Sequence, residues 1–145
     1  MTEVAFHFGA ADKIGYACRL LRKAVHAGAS IEVVSDLPTL ERLSGLLWAV
    51  SATDFITHCG AATEGVLREL SAVQLSESPS APATRQVLVN LGSTVPTGFD
   101  RYRRLIEVVG TDEEDRATAR ARWKHYASAG YTIVRHDLAL KAAAE

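Results

Sequence analysis

Cysteine is scarce in this chain: Cys18 and Cys59 are the only two among 145 residues. Two thiols build no disulfide framework, which excludes the stapled extracellular mini-domains and fits a reducing compartment. No apolar run approaches the roughly 20 residues that a membrane-spanning helix requires. The opening MTEVAFHFGAAD lacks the basic start and long apolar stretch of a secretory signal. A soluble, cytoplasmic protein without a membrane partner is therefore expected. An excess of one charge is missing too, since 16 Lys and Arg stand against 17 Asp and Glu, a formal net charge of −1. That balance excludes a general basic field for nucleic acid, so any anion must be met by a local patch. At this length the expectation is one domain, residues 1–145, with its own core.

The signatures of common chemistry are also absent. The first strand-to-helix turn, FGAADK, holds one glycine where a dinucleotide loop needs G-x-G-x-x-G, and no G-x-x-x-x-G-K-[ST] occurs anywhere. Without those glycines, backbone N–H groups do not come close to a phosphate. His58 and Cys59 lie near Asp54 and Glu64, but adjacent side chains point apart and no second Cys or His pair gives metal-ligand spacing. Asn90-Leu91-Gly92-Ser93 departs from the G-x-S-x-G elbow and leaves Ser93 a turn residue. His7, His26, His125 and His136 are scattered, with no carboxylate partner evident. No catalytic residue, cofactor or metal is expected, and the chain reads as a non-enzyme. The alternative left open is an α/β nucleotide- or small-molecule-binding enzyme with a degenerate phosphate loop.

What is present is a run of regular elements. Residues 2–8 alternate Val4, Phe6 and Phe8 against Glu3 and His7, as a strand does. Asp12 is placed to cap a helix in which Ile14, Ala17, Cys18, Leu21, Ala24 and Val25 keep helical spacing until Gly28. Residues 30–35 give a second strand, and strand–helix–strand suggests a right-handed parallel crossover. After Asp36, LPTLERLSGLLWA reads as a helix with Leu40, Leu43 and Leu47 inward. Residues 53–59 are expected as an irregular strand or loop, 72–75 as a short strand, and SESPSAPA as a polar loop. QVLVNL fits a strand buried on both faces. Residues 102–109 and 131–136 supply the closing strands around a last helix, and the tail after 136 either frays or continues as a short helix. The order predicts a three-layer α/β/α domain with a largely parallel (mixed) sheet, Rossmann-like but without a nucleotide-binding loop.

Only at 111–131, TDEEDRATARARWKHYASAGY, do charge, aromatics and helix signals coincide. Thr111 and Glu114 have the spacing of a capping box, and four consecutive acids sit at the positive end of the helix dipole. Gly130 suits the left-handed position that ends a helix. At about 100° per residue, Arg116 and Arg120 share one line, Trp123 lies beside it, and Lys124 flanks the other side. Ala119 and Tyr126 continue towards a core. The expected surface is a partly exposed indole next to guanidinium groups, suited to an acidic ligand with an apolar end.

Two blocks resemble a known family. One is Arg42-Leu43…Leu47-Trp48, six residues, then Phe55-Ile56-Thr57-His58; the other is Ile106-Glu107-Val108-Val109 followed by the acidic helix start and ARARWKHYASAGY, ending at Tyr131. Together they are similar to the chi subunit of bacterial DNA polymerase III, over nearly the whole chain. The resemblance implies a non-catalytic, clamp-loader-associated subunit that links the replisome to single-stranded-DNA-binding protein, and to DNA only indirectly. Its contact would be that protein's acidic C-terminal tail, which ends in an apolar dipeptide with a free carboxylate. Carried over by position, Arg120 and Trp123 are central, Arg116 is a second cation, Val109 a pocket wall, and Lys124 a further cation. Gly130 would turn the chain beneath them. A psi subunit would meet Trp48 and Phe55, although the chain departs from the pattern at Ser44, Gly45 and Thr57. Direct single-strand DNA binding through the basic helix is a third reading, disfavoured by the neutral charge.

Overall fold

A computed structural model describes residues 2–54, 58–59, 73–77 and 86–138, with backbone alone for 25–26, 47–54 and 58–59. The elements are β1 (Glu3–Ala10), α1 (Lys13–His26), β2 (Ile31–Val34), α2 (Leu37–Asp54), β3 (His58–Cys59), β4 (Val73–Ser76), β5 (Val87–Asn90), a 3-10 turn (Phe99–Arg101), β6 (Arg104–Gly110), α3 (Glu113–Ser128) and β7 (Ile133–Asp137). The strands join in the order β3-β4-β2-β5-β6-β1-β7, and every described pairing is parallel. β1 and β2, linked through α1, are not neighbours, because β5 and β6 insert between them.

Two apolar clusters make the three layers. On one face, Ala17, Cys18 and Leu21 of α1 and Leu40 and Leu43 of α2 pack on Ile31, Val33, Val73 and Val89. On the other, Ala119 and Tyr126 of α3 pack with Val4, Phe6, Leu88, Leu105 and Val109, and Phe99 closes the side. The alternation of β1 explains the second face: Val4, Phe6 and, at the rim, Phe8 all point to α3. No helix of the described residues is long and apolar enough to cross a membrane.

Several boundaries differ from the sequence expectation, each for a physical reason. β1 runs on to Ala10 because Gly9 takes a positive φ of 81°, and its register against β6 shifts between His7 and Ala10. α2 continues through Thr53 and Asp54, since nothing in AVSATD stops a helix, and among the described residues of 53–59 His58–Cys59 is strand. β6 starts at Arg104 because the 3-10 turn uses Phe99–Arg101, and β7 starts at Ile133 because Tyr131 is taken up in ending α3. Phe55, residues 60–72 and 78–85, and the tail from residue 139 lie outside the described residues.

Candidate functional site: a groove between α3 and the sheet edge

The site begins with how α3 starts. Asp112, not Thr111, is its N-cap, accepting from the Asp115 N–H at 3.2 Å. The expected Thr111–Glu114 box is thus displaced by one residue. Asp115 is drawn inward instead: its carboxylate accepts from the Gly110 N–H at 2.7 Å and pairs with Lys13 Nζ at 3.1 Å, tying the helix start to β6 and α1. Two geometries compete for the same orphan N–H groups, and the one that also satisfies Lys13 and Gly110 prevails. The helix ends in a Schellman pattern, with Gly130 N–H to Ala127 O and Tyr131 N–H to Tyr126 O, both at 3.1 Å. Gly130 carries the positive φ of 89° this turn requires.

Between these ends, the rotation of α3 is fixed from inside. Arg122 is 2% exposed, and its Nε donates to Glu107 Oε1 at 3.1 Å. Tyr126 donates to Glu107 Oε2 at 2.6 Å, Asn90 Nδ2 donates to the same carboxylate, and Arg122 Nη1 reaches Ser93 O at 3.0 Å. Burial pushes the Glu107 carboxyl up, while the Arg122 guanidinium and the Tyr126 and Asn90 hydrogen bonds oppose that rise. The Tyr126 hydroxyl is pushed up by burial and then by the Glu107 charge beside it. Both side chains are interior, Tyr126 on the core side that its spacing predicts and Arg122 beside it. The signal was there, because Glu107 in a buried apolar strand needs a cation, and 119, 122 and 126 share one helix face.

With Arg122 and Tyr126 turned inward, the neighbouring face of α3 opens over the carboxyl ends of β6, β1 and β7, as a groove of about 640 Å³. Val109, Arg116, Arg120, Trp123 and Lys124 all line it. Val109 is buried and Trp123 is half-buried, its ring 5.0 Å from that of Phe6. The Arg116 and Arg120 side chains are more than half exposed, and both lean to Glu113, at 4.0 and 3.1 Å. Gly130 is not among the lining residues; it shapes the turn at the far end of the helix. Trp48 is in α2, but its side chain lies outside the described residues, as does all of Phe55. Sequence reasoning missed the opposite wall: Phe6 and Phe8 of β1, and Arg135 of β7. The alternation of β1 placed the two rings on one face; nothing in the sequence showed that β7 would pair beside them. Gly9, near the end of β1, also lines the groove.

Comparison with known proteins decides the family. The profile described as DNA polymerase III chi subunit, HolC, matches residues 1–134. The chain belongs to that family. It is 29% identical over 143 residues to DNA polymerase III subunit chi of Pseudomonas aeruginosa, which covers 95% of this chain and 98% of the relative. As a member, it has the role of an accessory subunit of DNA polymerase III in DNA replication. Among solved structures, a chain of an S. cerevisiae complex of Dbp5 bound to Nup159, Gle1, IP6 and ADP has a TM-score of 0.59 at 14% identity. The match spans 94% of this chain and 42% of that one, and at such identity it concerns the fold alone. In this chi-family chain, the segment that carried the sequence resemblance, 119–131, is one side of the groove and the turn that ends it.

Proposed function

We propose that this chi-family subunit binds the acidic C-terminal tail of single-stranded-DNA-binding protein in the α3 groove, and so links the polymerase to protein-coated template. The observation that carries this reading is the placement of Arg116, Arg120 and Lys124 along an apolar wall of Val109 and Trp123. An apolar terminal side chain buried on that wall gains about 2 kcal/mol from leaving water. Guanidinium groups above it pair with the terminal carboxylate by charge-assisted hydrogen bonds. Arg116 and Arg120 already meet one carboxylate, that of Glu113, at 4.0 and 3.1 Å, and a peptide terminus would compete with it for them. DNA then contacts the subunit only through the protein that carries the tail.

Calorimetric titration with an acidic peptide ending in Pro-Phe tests this. Arg120→Ala and Trp123→Ala should each weaken binding about tenfold or more, as central interface residues do. Arg120 is exposed, so its loss leaves the fold intact and any effect reports on binding. Unchanged affinity in both variants would sink the proposal.

A further inference from the structure

The groove has cations on two sides. Arg116, Arg120 and Lys124 come from α3, whereas Arg135 comes from β7, one of the two edge strands of the described sheet. Asp137 is the one carboxylate lining it among the described residues, so the lining is strongly positive although the whole chain is not. Arg135 is also held in place: its guanidinium sits 4.6 Å from the centroid of the Phe8 ring. Such stacking restricts a long, exposed side chain while leaving its hydrogen-bonding edge open. A cation ordered before binding loses less entropy when an anion arrives.

We infer that Arg135 is a further specificity-determining residue of this groove, meeting an acidic side chain just upstream of the peptide's apolar end. The inference rests on the tail-binding reading above and adds the direction in which the peptide lies. Arg116 and Arg120 converge on the single carboxylate of Glu113, the arrangement that suits one terminal carboxylate. The apolar anchor goes to the Val109–Trp123 wall. The remaining anionic groups precede the anchor in the chain, and Arg135 is the cation across the groove from the Arg116–Arg120 pair. The peptide therefore leaves over β1 and the β7 edge. Arg135 thus selects for acid before the anchor, whereas the α3 arginines select for a free C-terminus.

The test titrates wild type, Arg135→Ala, Arg135→Lys and Arg120→Ala with three probes: an acidic peptide ending in Pro-Phe, its counterpart with asparagine in place of each aspartate, and the acidic peptide with an amidated terminus. Arg135→Ala should weaken the acidic peptide about three- to fivefold, the range of an exposed ion pair, and leave the asparagine peptide at wild-type affinity. Arg135→Lys, which keeps the charge but not the planar stack, should fall between. On the amidated peptide, Arg135→Ala should keep its factor and Arg120→Ala should lose most of its own. Wild-type affinity of Arg135→Ala for the acidic peptide, or equal losses on acidic and asparagine peptides, overturns the inference. Loss of the Arg135 factor on amidation places Arg135 at the terminus and overturns the direction. If wild type binds none of the probes, the tail-binding proposal itself fails, a result the wild-type arm distinguishes.

Discussion

Glu107 and Arg122 form an ion pair at 3.1 Å in which the two side chains are 0% and 2% exposed. Each was removed from water, so the pair adds little net stability over an apolar substitute, but breaking it strands a buried charge. Replacing Arg122 by Met should therefore cost about 3–5 kcal/mol at neutral pH. The sign of its pH dependence follows from Glu107. A carboxyl raised by burial favours the fold fully below its ordinary range, and this contribution is lost as pH rises through the raised value. Without Arg122, which holds the rise in check, Glu107 moves further up. The deficit of Arg122→Met should thus shrink in denaturant titrations as pH falls towards the ordinary carboxylate range, and grow above it. An equal deficit at all pH values would show that Glu107 is not the group left stranded. At this scale the sequence was half legible: Ala119 and Tyr126 read as inward from spacing alone. Arg122 shares their face, yet its charge argues for the surface, and only the partner on β6 reverses that.

At the scale of the element, α3 was the most legible part of the chain, because its caps and charges are local signals. Gly130 reads from sequence as a helix end and forms one, with nothing within 4 Å of the place a Cβ would take. Gly130→Ala should therefore cost only the left-handed backbone strain, about 1 kcal/mol by thermal or chemical unfolding, and barely change peptide affinity. A large loss of affinity would mean that the turn itself contacts the ligand. Glu113 gives a second prediction. It pairs with both Arg116 and Arg120 from the helix's first turn, so on the proposed reading it competes with the tail. Glu113→Gln should tighten the acidic peptide about two- to fivefold in the same titration, since an exposed pair of this kind is worth less than about 1 kcal/mol. Weaker binding would indicate that Glu113 orients the arginines rather than competing with the ligand. The one-residue displacement of the cap was not legible, because Lys13 and Gly110, which draw Asp115 inward, are distant or on another element.

For the whole molecule, the sheet's strand order is what brings the groove together. β1 lies between β6 and β7, so Phe6 and Phe8 form a floor under α3, and Arg135 of β7 joins the same lining. The layers, the parallel sheet and the helical wall were readable from periodicity and element order. The opposite wall was not, because it depends on which strands pair across more than 120 residues of chain, from Phe8 to Asp137. A chain of net charge −1 that concentrates four cations in one groove should bind acidic peptide strongly at low salt and weakly at high salt. The most direct measurement is calorimetric titration of the wild-type chain with an acidic peptide ending in Pro-Phe, across a series of salt concentrations, alongside Arg120→Ala. The account predicts one site per chain, affinity that falls steadily with salt, and a weaker, less salt-sensitive Arg120→Ala. Absence of binding at low salt, or wild-type affinity and salt dependence in Arg120→Ala, would contradict it.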